Sequence, residues 1–344
     1  MINVALIGCG YWGPNLLRNL LSLPGCNVKS ICDLCNERLI HMKNLYNDLI
    51  ITSDCSQIMD DDEIDAVIIA TPVRTHFELA IQSLMKGKHT FIEKPLARST
   101  EECNILIDEA KQRNLTLMVG HTFIYTPPVR KMKDIIESGE IGEVIYISSR
   151  RLNLGLFQKD INVAWDLAPH DLSIILYILG ENPKTVSCQG KAHINPKIED
   201  VTNITLTFNS RGYASIQSSW IDPRKVRDMT VVGTKKMIVY DDLEPLEKIK
   251  IYDRGVSVPP HSDTFAQFQY SYHYGDVYSP YVKQEEPLRI ECNHFLDCIR
   301  SGKPSESSGE KGLEVVKILE AASKSLKNSN VSVSVNDSLE LRAS

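Results

Sequence analysis

Long apolar runs are missing from this chain of 344 residues. Stretches such as LSIILYILG (172–180) have the length of a core helix, short of the roughly 20 apolar residues a membrane span needs. An excess of basic charge is missing too. With 38 Lys and Arg against 44 Asp and Glu, the formal charge is −6, which offers nothing to nucleic acid or to an anionic membrane. Met1 runs straight into INVALIG, leaving no basic segment and cleavage site, so a cytoplasmic protein is expected. Metal spacing is also lacking. The nine cysteines are scattered, and the CxxC of Cys32 and Cys35 has no second pair and no histidine at ligand distance. Reduced thiols packed as small apolar side chains, and no metal, are expected.

What is present is ordinary globular composition at a length that suggests two domains, cut here as 1–121 and 122–344. Residues 1–120 alternate apolar runs (INVALI, VKSIC, LIIT, AVIIA, HTFIE, LTLMVG) with amphipathic stretches. The runs are continuously apolar, as expected for parallel strands covered on both faces. Leu16, Leu17, Leu20 and Leu21 make a helical stripe, and Thr75 with Glu78 and Ser99 with Glu102 read as capping boxes. Strand and helix in alternation predict a doubly wound α/β sheet of the Rossmann type.

LIGCGYWG then has a meaning. Gly8, Gly10 and Gly13 spell G-x-G-x-x-G after the first strand and at the opening of the first helix. The first glycine permits the tight turn, the second lets a pyrophosphate reach bare backbone, and the third lets helix and strand close up. The helix N-terminus adds the positive end of its dipole. Asp33 ends the second strand, where a carboxylate binds the ribose hydroxyls of adenosine and repels a 2′-phosphate. NAD is therefore expected before NADP, although Arg38 keeps the phosphate reading open.

Ligands of such folds bind beyond the carboxyl ends of the strands. The fourth and fifth strands end in ATPVRTH (70–76) and EKP (93–95), which collects Thr71, Pro72, His76, Glu93 and Lys94 near a nicotinamide. A lysine beside an oxidised nicotinamide feels a second positive charge, which lowers its pKa toward a useful range. In NVAWDLAPHDLSIILYILG (162–180), Asp166 and His170 are four apart and share a helix face. Pro169 leaves two options: a helix beginning near it, with His170 by the N-terminus, or a kinked first turn. On residues alone, a structural Asp–His pair and a catalytic one are both open.

GCGYWG, ATPVRTH, EKPLA and DLAPHD, in this order and spacing, resemble the glucose–fructose oxidoreductase / inositol dehydrogenase (Gfo/Idh/MocA) family over essentially the whole chain; Ala168 stands where relatives often have glycine. The resemblance implies an NAD(P)-dependent dehydrogenase acting on CH–OH groups, with Lys94, Asp166 and His170 as catalytic group. Cofactor contacts would come from Gly8, Gly10, Tyr11, Trp12, Gly13, Asp33, Arg38, Thr71, Pro72, His76, Glu93 and Lys94. Substrate contacts would come from Lys94, His121, Tyr125, Arg151, Asn153, Asp166, His170 and Lys225.

After residue 121 the texture changes to stretches such as VTNITLTFN and YASIQSSWI, several alternating with Thr, Ser and Asn on one face. A second, α+β domain with a large open, mostly antiparallel sheet is expected, and the resemblance implies a homodimer or homotetramer built on it. Residues 258–283 read as a long ordered loop, and 288–301 and 309–327 as closing helices. Basic clusters at Arg150, Arg151, Arg224, Lys225 and Arg227 would clamp a diphosphate or carboxylate, or merely blunt strand edges. The substrate domain resembles that of relatives acting on nucleotide-linked sugars, and this resemblance implies a small-molecule sugar, nucleotide-linked, as substrate, oxidised by a dehydrogenase or reduced by a 3-ketoreductase. A free polyol or inositol dehydrogenase is the alternative enzyme, and an NAD-sensing regulatory protein the non-enzyme alternative.

Overall fold

In the computed structural model, which describes residues 1–210, 212–257 and 271–335, each of the six apolar runs of the first half is a strand. They are β1 (Ile2–Ile7), β2 (Cys26–Cys32), β3 (Ile50–Thr52), β4 (Ala66–Ile69), β5 (His89–Glu93) and β6 (Leu117–Gly120). All pair in parallel, in the order β3-β2-β1-β4-β5-β6. Between them run α1 (Gly13–Leu21), α2 (Asn36–Leu45), α3 (Ser56–Met59), α4 (His76–Met85) and α5 (Thr100–Gln112). The strand order reverses between β1 and β4, and that reversal opens a crevice at the carboxyl ends of the strands.

Two helix starts that look alike in sequence differ in structure. Ser99 caps α5, its hydroxyl accepting the Glu102 N–H at 3.1 Å. Thr75 does not cap α4; its hydroxyl lies 2.8 Å from both the Thr71 hydroxyl and the Pro72 carbonyl, so it ties the loop before the helix instead. In α1, Leu16, Leu17 and Leu20 are buried, while Leu21 is 39% exposed at the last turn.

The second sheet contains β7 (Val144–Leu154), β8 (Thr185–Lys191), β9 (Val201–Thr207), β10 (Tyr213–Ser219), β11 (Ile221–Gly233), β12 (Met237–Asp241), β13 (Ile249–Ser257), β14 (Ser271–Tyr278) and β15 (Val333–Ser334). Their order is β14-β13-β12-β11-β7-β10-β9-β8-β15, antiparallel throughout except for the parallel pair β7 and β10. Ile204, Leu206, Ala214 and Ile216 bury one face, and α7 (Val163–Leu179) covers it, lying on β7, β9 and β10, with α6 (Pro127–Glu137) packed against α7. The expected loop over 258–283 falls partly on 258–270, outside the described residues. From Ser271 it is corrected: the chain is a strand, with Tyr272 opposite Val256 and Tyr274 opposite Arg254. Alternating tyrosines are strand formers, a period hidden by the aperiodic residues before them.

α7 settles the question left by Pro169. Asn162 caps it, accepting the Trp165 N–H at 3.2 Å, and Pro169 sits inside the helix. His170 therefore lies two turns into α7 and not beside its N-terminus, so no end-dipole argument applies to it.

The chain divides into one unit of Met1–Tyr125 with Glu285–Glu320 and another of Thr126–Gln284 with the residues from Ala321. A single cut at 121/122 places α8 (Pro287–Ser301) and the start of α9 (Gly309–Lys327) with the second domain; the packing places them with the first. Phe295 of α8 meets Phe91 of β5 edge-on at 5.7 Å, and the Ser307 carbonyl accepts the Val119 N–H at 2.8 Å. Among the described residues no helix is long and apolar enough to cross a membrane.

The Ser99 cap gives a direct check. Ser99→Ala leaves one orphan N–H at the start of α5 and lowers unfolding free energy by about 1 kcal/mol, read from the urea midpoint.

Candidate active site

The glycine loop is shaped by what a side chain would strike. At Gly8, φ is +103° and a Cβ would lie 2.5 Å from the Ala70 carbonyl oxygen; at Gly13 a Cβ would lie 2.0 Å from the Gly8 carbonyl oxygen. At Gly10 the nearest atom is Arg38 Nη1, 3.8 Å away, so this position opens onto free space. Beside it is a cavity of about 450 Å³ lined by Cys9, Gly10, Pro14, Arg38, His41 and Met42 among others. Tyr11 and Trp12 of the loop are exposed. A cradle that rejects Cβ atoms on its inner side and is bare at Gly10 fits the pyrophosphate of a dinucleotide.

Asp33 is already engaged. Its Oδ2 accepts the Cys9 N–H at 2.6 Å and its Oδ1 the Cys35 N–H at 2.8 Å, with Arg38 Nη1 3.7 Å from Oδ2. A carboxylate has about four acceptor sites, so two remain for ribose hydroxyls. The same backbone bonds fix its direction, and Arg38 faces a negative partner.

At the ends of β4 and β5, one ring ties the two loops. His76 Nε2 is 2.9 Å from the Thr71 carbonyl and Nδ1 2.9 Å from the Pro95 carbonyl, and the residue is 1% exposed. His76 was expected to touch the cofactor. It is corrected to a positioning residue, because its buried ring has both nitrogens against the chain's own carbonyls. Thr71 is half-buried and Pro72 exposed. Burial holds the His76 pKa below its ordinary value against the two carbonyls, and Lys94 pushes the same way as burial.

Lys94 is half-buried among groups that are largely shut off from water. Glu93 Oε1 is buried without a hydrogen-bond partner among the described residues, and burial raises its carboxyl to about 7 against the pull of Lys94 and of a Trp12 hydrogen bond. His121 is 2% exposed with both ring nitrogens lacking hydrogen-bond partners among the described residues. Burial and Lys94 hold its pKa near about 3, so it is neutral at working pH. Glu291 of α8 was not foreseen. It is fully buried, accepts the Thr122 hydroxyl at 2.7 Å, and is raised well above the carboxylate range by burial and by Glu93. Its signal was a charge on the apolar Leu288–Cys292–Phe295 face of a helix. Tyr125, expected at the substrate, is instead fully enclosed, with its hydroxyl 2.8 Å from Ser307 Oγ.

In the second unit, Asp166 Oδ2 accepts the indole N–H of the buried Trp220 at 3.1 Å, and His170 follows one turn later on α7, half-buried. Trp220 was not foreseen as a partner. Asn153 is half-buried near that indole; a Cβ on Gly155 would lie 2.7 Å from Trp220 Cδ1 and 3.3 Å from Asn153 Nδ2. Arg151 was expected to touch substrate. It is corrected to a structural role, 5% exposed and held by Asp171 through two bonds of 2.8 and 3.1 Å. Arg150 pairs with Asp228 and Arg227 with Asp242; Arg150, Arg224 and Lys225 are the exposed members of the basic cluster.

The raised Glu93 carboxyl makes stability depend on pH with a definite sign. The folded state keeps its proton above the ordinary value of 4.5, so stability falls as pH rises from 4.5 to about 7 and then levels off. Glu93→Gln removes that slope. Urea midpoints at pH 5 and pH 8 should differ less for the variant than for the parent, by roughly 3 kcal/mol at the upper limit.

Residues 2–121 match the model of the oxidoreductase family with an NAD-binding Rossmann fold, and residues 129–239 match the GFO/IDH/MocA C-terminal domain. A UDP-N-acetylglucosamine 3-dehydrogenase of Acidithiobacillus ferrooxidans is 32% identical over 74% of this chain and 76% of its own. A scyllo-inositol 2-dehydrogenase (NAD(+)) of Bacillus subtilis is 27% identical over 88% of this chain and 87% of its own. An oxidoreductase of Agrobacterium radiobacter, solved with NAD+, L-tartaric acid and magnesium, shares the fold with a TM-score of 0.80 at 22% identity, over 98% of this chain and 99% of its own. The glycine cradle, the two sheets and these matches have one conclusion: the chain belongs to the GFO/IDH/MocA oxidoreductases and is an NAD-dependent dehydrogenase of that family.

Proposed function

We propose that this dehydrogenase acts on a nucleotide-linked sugar, exchanging a hydride between nicotinamide and a ring carbinol carbon. The observation that carries the reading is the place of Lys94. It follows β5 directly, beyond the carboxyl ends of the strands, where this fold takes its ligands. Bound nicotinamide supplies the hydride acceptor or donor. Lys94 holds the reacting oxygen and exchanges its proton. His170 acts as base or shares that proton, and Asp166, fixed by Trp220, orients it. Beside Lys94, His121 is neutral, and burial pushes the Glu291 carboxyl well above the ordinary carboxylate range. The similarity to the UDP-N-acetylglucosamine 3-dehydrogenase supports the nucleotide handle, with exposed Arg224 and Lys225 to meet its phosphates. The similarity to the inositol dehydrogenase supports a second reading, a free polyol as substrate. A cytoplasmic homodimer or homotetramer completes the proposal.

A panel of UDP-sugars and polyols, followed by NADH absorbance, decides between the two substrates. Turnover confined to inositols would sink the nucleotide-sugar reading. Lys94→Ala should bind NADH as the parent does and lose about 10²–10⁴ in kcat, the scale of a positioned acid/base. Turnover within a few-fold of the parent would remove Lys94 from the chemistry.

Asp33 sets the cofactor choice. Asp33→Asn keeps an acceptor for a backbone N–H, removes the like-charge clash with a 2′-phosphate, and frees Arg38. The NADPH-to-NADH affinity ratio should rise about tenfold, equivalent to ~1.4 kcal/mol, in fluorescence titrations.

A further inference from the structure

Two cysteines outside the proposed chemistry stand together. Cys32 is the last residue of β2, and Cys55 precedes α3; their sulfurs are 3.3 Å apart. They are separated by 23 residues in sequence, and Cys32 is buried while Cys55 is half-buried. The CxxC spacing pointed at Cys35, but the structure pairs Cys32 with Cys55. We propose that Cys32 and Cys55 form a reversible disulfide site that reacts with a low-molecular-weight disulfide and alters the ribose-binding end of β2. Bringing the sulfurs from 3.3 Å to the bonded distance of about 2 Å asks for a small rotation of the side chains.

The environment separates attacker from resolver. Hydrogen bonding from Cys32 holds the Cys55 thiol below the ordinary cysteine range, against burial and the charges of Asp54 and Asp33, while Cys32 is pushed up. Cys55 is the more exposed of the two, so its thiolate attacks glutathione disulfide, forming a mixed disulfide and releasing one glutathione thiolate. Cys32 gives up its proton, attacks Cys55 Sγ and releases the second glutathione. The protein thiols lose two electrons and two protons, and glutathione disulfide takes up both as two glutathione thiols.

The cofactor link follows from what Cys32 and its neighbour hold. The Cys32 carbonyl accepts the Gly8 N–H at 2.8 Å, and the next residue, Asp33, takes the Cys9 and Cys35 N–H groups. The Asp33 N–H bonds the Thr52 carbonyl at 3.3 Å, three residues before Cys55. Closing the disulfide pins that loop to the strand that carries the ribose carboxylate.

The test treats the reduced full chain with glutathione disulfide, then maps peptides by mass spectrometry and counts thiols in denaturant. The expected result is one Cys32–Cys55 crosslink and two thiols fewer than the nine of the sequence, reversed by dithiothreitol. Cys55→Ser should lose no thiol pair. A crosslink to Cys9 or Cys35 instead, no crosslink, or a mixed disulfide that persists on Cys55 overturns the site. The link to the cofactor rests on the NAD assignment and is read separately, as NADH affinity about tenfold weaker in the oxidised protein. Equal affinities overturn the link. Failure of the reduced protein to bind NADH counts against the cofactor assignment, whereas the disulfide map is made without cofactor and stands on its own.

Discussion

An imidazole held between two carbonyls is the constraint on which the site depends. His76 reaches Thr71 after β4 and Pro95 after β5, at 2.9 Å each. Two carbonyl acceptors would favour the doubly protonated ring, but burial and the nearby Lys94 charge oppose it, and burial is the larger effect. A neutral ring donates only one proton, so one contact is a full hydrogen bond and the other a close approach enforced by packing. The two loops cannot separate without leaving a buried polar nitrogen or carbonyl unsatisfied, at about 1–3 kcal/mol. Thr75, which gives up its capping role to bond Thr71 and Pro72, tightens the same loop.

Around Lys94 the first unit gathers acids and a base and shifts each toward its neutral form. Glu93 and Glu291 are raised by burial and His121 is lowered by it, so all three are driven toward neutrality. Burial of this kind costs stability; the native state accepts it where a defined electrostatic setting has a use. The setting here is one in which the Lys94 charge acts on His76, Glu93 and His121 through little intervening water. A surface lysine with the same sequence neighbours would lack it.

The strands and the glycine loop were legible because their signals are local. Continuous apolar runs need no partner to be recognised, and Gly8 and Gly13 are required by contacts with strand ends already implied by the motif. What failed were residues whose fate depends on distant partners. Arg151 and Tyr125 look like polar groups available to a substrate, yet Asp171 lies 20 residues from the first and Ser307 182 residues from the second. The placement of α8 with the first sheet rests on contacts such as Phe91–Phe295, whose sequence separation no period reveals. Glu291 left a trace, a charge on an apolar face, but its neighbour Glu93 could not be read from it.

α7 shows what the buried Arg151 does for the fold. Asp171, its partner, follows His170 directly, and Ser149 donates to Asp171 as well, at 2.8 Å. Trp220 holds Asp166 on the same helix, and the Trp165 indole N–H reaches Ser323 at 2.9 Å. Pro169 removes one internal hydrogen bond from α7 between Asp166 and His170. The helix is fixed there by side chains, on the sheet side through β7 and at Asp166 through the indole. A buried ion pair is poor evidence of added stability, but breaking one partner is expensive, which makes it an effective pin for the helix register. The buried guanidinium, by holding Asp171, thus fixes where the imidazole one residue before it stands.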